Sequence, residues 1–553
     1  MNEMLRWAGT CAILLLALSA PAAAAPDPPV GRTGKAIGAG RLGVELDGIG
    51  DGNRAKPFVD LARTLRPWTR ADGSGPAPVD THGWPTSDAE TVLFDVRPAY
   101  TWAPPADDPD RFMPDWSGVY ALSFKGSAVL KTVEDTSVQI RRLHYDPSAN
   151  TTTGEIVVPK GAGLLILSFT QTRRGPSSPS GSGIAGLRVI RPGYRPDTRK
   201  TFTDEFIRSL KPFSVLRFMD WLDTNHNPGY YGDAGHHVLN WADRRLPTDA
   251  TQQSDSGRYG VAWESVIELA NETGKDLWIN IPVAATDDYV TKLARLLKGS
   301  LNARLNVYVE DSNEVWNYGF PQYIYNKLAA IDEVKRGGSI LTAGGSADEE
   351  IWARRRHAKR LIEIARICEK AFGAGSLNHR IRPVYASWVI NPHAYFADVL
   401  KWVSDTYGPP KQFFYAVAGA AYFNAEKAGS DGDVSSILAA MRASSDEQAK
   451  FRRAIQRIAD QYGLKHFQYE VGPDTGGGST VNIANRIRAN RDPRMRDLIL
   501  HDARDNWFAD GGGLYMYFSH CGVYSRHGCW GLSEDIADLA TPKWKAVHAL
   551  AGR

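Results

Sequence analysis

The sequence predicts an α/β protein: a (β/α)8 (TIM) barrel with a β-sandwich-like domain inserted after the first βα unit. Two observations carry this prediction. Eight short apolar runs alternate with helical periods, and one long interval lacks the helical periods. Eight strands with intervening helices are the count for such a barrel. A chain of 553 residues is long enough to form both parts.

The predicted barrel elements follow one another along the chain. The strands are expected at residues 42–46, 215–219, 277–281, 306–310, 383–387, 413–418, 467–470 and 514–518. The helices are expected at 57–65, 203–210, 262–271, 287–297, 353–372, 392–404, 435–461, 493–507 and 542–551. Pro57 at the start of one helix and Thr203 before another are typical of helix N-termini.

The interval between Trp68 and Pro192 is β-rich. Its short apolar runs are separated by Gly, Pro, Ser and Asn turns, and they lie at 92–96, 118–124, 138–143, 154–158, 164–169 and 187–190. Large insertions are tolerated in the loops of a barrel. The predicted organisation is therefore a leader at 1–25, a first βα unit at 37–70, the insert at 71–195 and the rest of the barrel at 196–553.

The first 25 residues have the pattern of a secretory signal peptide. Arg6 precedes an apolar run at 11–18, and small residues at 22–24 form a cleavage region. This pattern predicts a secreted or periplasmic protein. The apolar run is shorter than the roughly 20 residues that a membrane-spanning helix needs, and no later segment supplies such a length.

Composition excludes several classes of protein. A hydrophobic fraction of 43% with a net charge of +3 excludes general disorder and argues against a dedicated nucleic-acid binder. The chain is rich in aromatic residues, with 16 Trp and 22 Tyr. These serve either as core residues or as stacking platforms for flat ligands such as sugar rings.

In the oxidising compartment that the leader implies, cysteines can form disulfides. Cys521 and Cys529 lie eight positions apart, and we expect a disulfide to close this loop. The alternative is a metal site that also uses His520 and His527, although the spacing is not that of a zinc motif. Cys368, on an apolar helical face, is expected to be a buried free thiol.

Two glutamates carry the predicted chemistry. In a parallel barrel, catalytic groups lie at the carboxyl ends of the strands. Glu314 follows the fourth predicted strand and Glu470 closes the seventh, so both can face one central pocket. Retaining glycosidases need two carboxyl groups about 5 to 5.5 Å apart, with environments that separate their pKa values. The alternative is that each glutamate is a structural partner of an arginine.

Other strand ends supply candidate substrate-binding residues. Asn313 could bond a sugar hydroxyl, Arg217 could keep Glu470 ionised, and Tyr415 or Tyr422 could donate to that carboxylate. Asn280 ends the third strand. The four tryptophans that fall at or just beyond strand ends are Trp221, Trp316, Trp388 and Trp530. We expect about two of these four to contact a sugar.

These residues resemble clan A of the (β/α)8 glycoside hydrolases. The Asn313-Glu314 pair matches the acid/base position at the end of strand 4, and Glu470 matches the nucleophile position at the end of strand 7. Leu216-Arg217-Phe218 resembles the arginine segment of strand 2. Many members carry a Trp at the end of strand 8. Here that strand reads Tyr515-Met-Tyr-Phe-Ser, which leaves Trp530 as the substitute.

A narrower resemblance involves longer motifs. Ser312-Asn-Glu-Val-Trp-Asn317, Thr286-Asp-Asp-Tyr289 and the segment from Phe213 to Trp221 resemble secreted bacterial proteins often labelled cellulose- or carbohydrate-binding.

The resulting hypothesis is a secreted retaining glycoside hydrolase that cleaves β-linked poly- or oligosaccharides and needs no metal or organic cofactor. Two alternatives remain: a non-catalytic carbohydrate-binding protein on a barrel scaffold, and a transglycosylase that uses the same residues. The β-rich insert is either a sugar-binding module or a wall of the cleft.

Overall fold

The computed structural model describes residues 39–97, 105–135, 137–226, 238–254, 260–475 and 481–552. The predicted leader at 1–25 lies outside these residues. So do Trp102 of the insert and residues 227–237 and 255–259 of the loop after the second barrel strand.

Within these residues the chain forms eighteen strands. In chain order they are β1 (Leu42–Glu45), β2 (Thr69–Arg70), β3 (Ala89–Asp95), β4 (Gly118–Lys125), β5 (Ser127–Val133), β6 (Gln139–Asp146), β7 (Thr151–Val158), β8 (Leu164–Arg173), β9 (Ala185–Ile190), β10 (Val215–Arg217), β11 (Asp276–Ile281), β12 (Val307–Asp311), β13 (Ile381–Ala386), β14 (Ala416–Ala420), β15 (Phe423–Asn424), β16 (Lys465–Val471), β17 (Pro473–Asp474) and β18 (Tyr515–Tyr517).

The same residues form ten α-helices. They are α1 (Asp204–Ser209), α2 (Trp263–Thr273), α3 (Asp287–Ser300), α4 (Pro321–Lys335), α5 (Glu349–Phe372), α6 (Asp398–Tyr407), α7 (Val434–Tyr462), α8 (Ile483–Arg491), α9 (Met495–Arg504) and α10 (Pro542–Ala551). None of these helices is long and apolar enough to cross a membrane.

Eight strands close into a parallel barrel in the order β1-β10-β11-β12-β13-β14-β16-β18. Each overlaps one of the eight predicted strands, so the barrel prediction is confirmed. Its interior is filled by large side chains. Trp278 of β11 is fully buried and stacks on Tyr308 of β12 with ring centroids 5.8 Å apart. The barrel is therefore a packed core, and a ligand can approach the chemistry from the ends of the strands.

The β-rich insert lies between β1 and β10. It consists of two four-stranded antiparallel sheets, ordered β2-β3-β8-β5 and β6-β7-β4-β9. The sheets enclose a hydrophobic core of their own, to which Trp116 and Tyr120 belong. Strand β5 was not predicted, because at the edge of its sheet it shows no clean alternation of buried and exposed residues. Trp116 and Tyr120 are therefore core residues of the insert and offer no exposed surface to a sugar.

The predicted helix at 57–65 is wrong. This segment forms only a short 3-10 helix, Leu61–Thr64, whose Leu61 packs into the core of the insert. Phe58 pairs with Phe202, and Asp60 pairs with Ile190, in isolated β-bridges. These extended contacts compete with helix formation, so the first βα unit lacks its helix and the chain passes directly from β1 into the insert.

Two helices were not predicted. Helix α4 follows the segment that carries Glu314 and begins with Pro321 at its first position. Helix α8 follows the seventh barrel strand and is rich in Arg and Asn, which obscures its apolar face.

Candidate active site

The carboxyl ends of the barrel strands bring the two predicted glutamates to one buried site. Glu314 and Glu470 are each 3% exposed, and Arg217 of β10 is fully buried beside them. The backbone after β12 is strained, since Ser312 (φ 57°) and Glu314 (φ 42°) both adopt the left-handed region. Strain of this kind concentrates at functional sites.

Asn280 supports this strained turn. Its amide Nδ2 donates to the backbone oxygen of Ser312 at 2.7 Å, and its side chain is fully buried. The sequence predicted that Asn280 contacts substrate. The structure instead places it beneath the turn, because β11 and β12 are neighbours and their ends are in register. Asn280 therefore positions the segment that presents Glu314.

Arg217 joins three carboxyl groups. Its guanidinium contacts Glu45 at 3.0 Å, Glu310 at 3.1 Å and Glu470 at 2.7 Å. It also donates to Oδ1 of Asn313 at 2.8 Å. A planar guanidinium suits such a site because its five N–H donors have fixed directions. The predicted contact between Arg217 and Glu470 is present.

Glu470 has a donor on each carboxylate oxygen. Arg217 Nη1 donates to Oε1, and the Tyr422 hydroxyl donates to Oε2 at 2.8 Å. Both contacts stabilise negative charge on Glu470. Tyr415, the alternative donor considered from the sequence, precedes β14 at the opposite end of the strand and contacts Arg382 and Tyr308 instead.

Glu314 has different surroundings. It accepts hydrogen bonds from the uncharged groups Tyr469 Oη at 3.0 Å and Asn317 Nδ2 at 2.9 Å. Burial raises the pKa of Glu314 to about 8, and the negative charge of Glu470 adds to this increase. Glu314 is therefore protonated at neutral pH, and it lies beside Glu470, which accepts a hydrogen bond from the Arg217 guanidinium.

Asn313 is fixed by neighbours on two sides. Its Oδ1 accepts from Arg217, and its Nδ2 donates to Asn225 Oδ1 at 3.0 Å. Gln322 of α4 donates to the same Asn225 oxygen and to the backbone oxygen of Asn313. An amide nitrogen carries two N–H groups, and among the described residues only Asn225 accepts from Asn313, so its second N–H can serve a ligand.

The four candidate tryptophans differ in their surroundings. Trp221 is 1% exposed and packs among Phe58, Phe202, Phe206 and Phe218. The prediction that Trp221 binds sugar is therefore wrong: it follows β10 but turns towards the helix layer. Trp316 and Trp388 are half-buried and stack on each other.

Trp530 approaches the site from the loop after β18. Its half-buried ring contacts Phe518 at 5.5 Å between centroids, and Phe518 contacts Tyr422, the donor to Glu470. Its indole Nε1 donates to Asp474 at 3.2 Å. Trp530 is therefore connected to the Glu470 carboxylate through Phe518 and Tyr422.

The predicted disulfide is wrong. Cys521 and Cys529 are both buried free thiols. The loop pairs Cys521 with Ser533, whereas the Cys529 sulfur approaches the backbone oxygen of Ser525. The loop thus gives the two thiols separate surroundings. Cys368 is buried and free, as predicted.

Several functional residues were missed from the sequence. Glu45 closes β1 directly beside Arg217 in the parallel register, and Glu310 lies inside β12. Both are charged residues within otherwise apolar strands, which is a signal that could have identified them. Tyr469 and Asn317 have no comparable signal, since their roles depend on the turn that orients Glu314.

No protein-family model and no curated protein matches the chain. Among solved structures, it is similar to a GH51 arabinofuranosidase from Xanthomonas axonopodis pv. citri (TM-score 0.38, 10% identity, 65% of this chain and 67% of that one). It is also similar to a 4-O-alpha-L-rhamnosyl-beta-D-glucuronidase from Fusarium oxysporum (TM-score 0.35, 14% identity, 62% of this chain and 63% of that one). The chain thus spans less than two thirds of that second protein.

A third similar structure is xylanase 10C from Cellvibrio japonicus (TM-score 0.32, 12% identity, 90% of this chain and 98% of that one). With TM-scores below 0.5 and so few identical residues, these likenesses leave the chemistry to be inferred from the site itself. The resemblance to bacterial carbohydrate-binding proteins stays a prediction.

The insert is tied to the rim of the barrel by three aspartates. Asp107 contacts Arg526 at 2.6 Å, Asp108 contacts Arg491 at 2.6 Å, and Asp110 contacts Arg488 at 3.2 Å. Arg491 also contacts Glu534 at 2.8 Å. The pairs of Asp107 and Asp108 reach Arg526 and Glu534, which lie on either side of Trp530 in its loop.

Replacing Asp108 by Asn is expected to loosen this loop. Asp108 accepts two hydrogen bonds from Arg491, and its side chain is only 5% exposed. The change to Asn removes the charge from this contact and weakens it. A loss of about 1.5 kcal/mol, typical of a hydrogen bond to a charged group, would speed local hydrogen exchange roughly tenfold. Mass spectrometry of the peptides that cover residues 521–534 measures this exchange.

The matched control is Asp110→Asn. The side chains of Asp110 and Arg488 are 63% and 47% exposed, and such surface pairs contribute little. We expect near-parental exchange in that variant. Equal exchange of the 521–534 peptides in Asp108→Asn and in the parent protein would show that the aspartate does not hold the loop.

Proposed function

We propose that this protein is a retaining glycoside hydrolase that cleaves β-linked poly- or oligosaccharides by double displacement. One observation carries the proposal: two carboxyl groups share the mouth of the barrel, and one is bonded to a guanidinium whereas the other has only uncharged donors. Glu470 bonds Arg217 and Tyr422, whereas burial holds Glu314 protonated. A protonated acid beside an ionised nucleophile is the pair that this reaction requires.

The first step uses both groups. The Glu470 carboxylate attacks the anomeric carbon while Glu314 gives its proton to the glycosidic oxygen. The bond from the anomeric carbon to that oxygen breaks, its electron pair stays on the oxygen, and the alcohol leaves. The product is an ester between Glu470 and the sugar. The remaining N–H of Asn313 is available to a sugar hydroxyl at this stage.

The second step reverses the role of Glu314. Once Glu470 is an ester it has no charge, so its contribution to the raised pKa of Glu314 disappears. The Glu314 carboxylate then takes a proton from water as the water oxygen attacks the anomeric carbon. Glu470 leaves as a carboxylate, and two inversions give net retention of configuration.

The pH dependence of kcat/KM tests the assignment of Glu314. We expect kcat/KM on a phenyl β-glycoside to fall as the pH rises through the pKa of Glu314, about 8. The sign follows because only the protonated carboxyl can donate to the leaving oxygen. In Glu314→Gln this alkaline limb should vanish. The fall in kcat/KM should be far smaller for a 2,4-dinitrophenyl β-glycoside, whose leaving group needs no proton.

The same variant distinguishes the pH effect of Glu314 from that of neighbouring carboxyl groups with raised pKa values. Burial raises the pKa of Glu45 to about 8 and that of Asp47 to about 7. These groups remain in Glu314→Gln, so an alkaline limb that survives unchanged in the variant would refute the role of Glu314. Full activity of the variant on both substrates would show that Glu314 takes no part in cleavage, whereas a parent protein that binds saccharides and cleaves neither substrate would favour the alternative of a non-catalytic binding protein.

We further propose that residues 1–25 form a cleaved leader and that the mature protein is secreted or periplasmic. The support is the basic, apolar and small-residue pattern of this segment. The intact mass of the exported protein tests the proposal: loss of about 25 residues is expected. An uncleaved protein retained in the cytoplasm would contradict it.

A further inference from the structure

The first turn of α10 supports the loop that carries Trp530. Thr541 Oγ1, at the start of this helix, donates to the backbone oxygen of Leu532 at 2.6 Å, and Trp544 Nε1 donates to Ser533 Oγ at 3.2 Å. The Trp544 side chain is fully buried in the hydrophobic core of the barrel. The loop therefore rests on a helix that is itself anchored in the core.

Lys543 adds a contact from a fully buried position. Its Nζ donates to the backbone oxygen of Cys529 and, at 3.2 Å, to that of Gly531. The same nitrogen lies 4.3 Å from the centre of the Tyr524 ring. The two acceptors are the carbonyl groups of the residues on either side of Trp530. Lys543 therefore holds the backbone of Trp530 from both sides.

This contact does not depend on the charge of Lys543. Burial lowers the pKa of Lys543 to about 7, so both forms of the amine occur near neutral pH. The ammonium group has three N–H donors, and the neutral amine still has two, which is one for each carbonyl oxygen. An apolar side chain at this position would remove the donor from both oxygens, and buried carbonyl groups that lose a donor destabilise their segment.

The orientation of the Trp530 ring depends on this backbone. The ring packs so closely on Gly528 that a Cβ atom at position 528 would lie 2.5 Å from it. Its Nε1 donates to Asp474 at 3.2 Å, and its ring contacts Phe518, which in turn contacts the tyrosine that donates to the proposed nucleophile. Because the ring is enclosed in this way, a shift of the backbone at 529–531 must move it relative to the site.

We propose that Lys543 is a positioning residue for the hydrolysis, because it holds the backbone of Trp530 so that the indole contacts Phe518 beside the site. The inference rests on the proposed function. Lys543 is buried behind the loop, does not touch substrate, and acts through Trp530. Its removal should therefore lower activity only while Trp530 is present.

A double-mutant cycle tests this coupling. We expect Lys543→Met to lower kcat/KM on the 2,4-dinitrophenyl β-glycoside that the parent protein cleaves about 10-fold, and Trp530→Ala to lower it about 10- to 30-fold. The double variant should match Trp530→Ala within about twofold, because the lysine then has no indole to position. Independent effects would instead multiply to a loss of about 100-fold or more.

Hydroxyl-radical oxidation reports the position of Trp530 without any substrate. Mass spectrometry of the digested protein measures it, and we expect the oxidation of Trp530 to rise about threefold in Lys543→Met, since the loop opens more often. The control is Ala546→Gly, which destabilises the same helix and keeps Lys543. That variant should show parental oxidation of Trp530 and parental kcat/KM.

A second lysine variant keeps the test decisive. If Lys543→Met does not fold, Lys543→Gln replaces it in the cycle. The amide nitrogen of glutamine lies one bond closer to the backbone, so we expect this variant to lose one of the two hydrogen bonds and about threefold in kcat/KM.

Three outcomes would overturn the inference: losses that multiply in the double variant, unchanged oxidation of Trp530, or parental kcat/KM in the lysine variant. Inactivity of the parent protein on every aryl glycoside would overturn the proposed function instead. The oxidation experiment distinguishes the two failures, because it needs no substrate.

Discussion

Replacing Glu470 by alanine is expected to lower kcat on aryl β-glycosides on the order of 10⁵-fold, because the change removes the atom that attacks the anomeric carbon. Azide should restore turnover by occupying the space of the carboxylate. Since azide then replaces the nucleophile in a single displacement, the glycosyl azide product should have inverted configuration. Rate measurement with and without azide, followed by NMR of the product, provides both readouts.

A remote glutamate gives the matched control. Glu333 of α4 pairs with Lys359 at 3.2 Å on the outer helix layer, and Glu333→Ala should keep parental kcat. In Glu314→Ala, by contrast, azide attacks the ester on Glu470, and its product should keep the configuration of the substrate. A retained-configuration azide from Glu470→Ala would exchange the roles of the two glutamates.

Replacing Arg217 by methionine is expected to have the largest effect on stability. The guanidinium contacts Glu45, Glu310 and Glu470, and all four side chains are 4% exposed or less. Removing one partner of a buried ion pair costs about 3–5 kcal/mol of unfolding free energy, since the remaining charge is left uncompensated. Urea unfolding followed by tryptophan fluorescence measures this loss.

The loss should depend on pH in a defined direction. Burial raises the pKa of Glu45 to about 8 and also raises that of Glu310. Below these pKa values the carboxyl groups are neutral and do not repel one another; above them they are charged. The deficit of Arg217→Met should therefore grow as the pH rises through about 8, and a deficit that shrinks would contradict the assigned network.

Arg191→Met provides the control for arginine removal. Arg191 is also buried, but it donates to the backbone oxygen of Phe58 and lies over the Trp116 ring instead of joining carboxylates. That variant should lose stability without this pH dependence and should keep kcat. Arg217→Met should lose activity as well, because Glu470 loses its strongest donor.

The sequence predicted the parts of the site that depend on strand order alone. Glu314 and Glu470 end strands four and seven, and a parallel barrel brings all strand ends to one rim. Arg217 was predicted for the same reason. Such residues need no knowledge of side-chain packing, because topology brings their Cα atoms together.

The wrong predictions concern side-chain orientation and long-range contacts, which strand order does not determine. Trp221 follows a strand end, yet its ring packs in the aromatic cluster beneath α1. Consecutive residues at a strand end point in opposite directions, so a shift of one position decides whether a side chain faces the site or the helix layer. Cys521 and Cys529 have suitable spacing in sequence. However, a backbone β-bridge from Cys521 to Ser533, and another within the loop from Ser525 to Gly528, set the directions of the two side chains. The 57–65 segment formed β-bridges to distant residues, which local helix propensity cannot anticipate.

Covalent trapping tests the central proposal most directly. A 2-deoxy-2-fluoro β-glycosyl fluoride should react with the protein and stall as an ester, because the fluorine slows the second step more than the first. Mass spectrometry of the digested protein should place one sugar on Glu470, and prior Glu470→Gln substitution should abolish labelling. A sugar on Glu314 or Glu310, or active cleavage of β-glycosides with no adduct at any fluorinated sugar tested, would contradict the double-displacement mechanism proposed for this site.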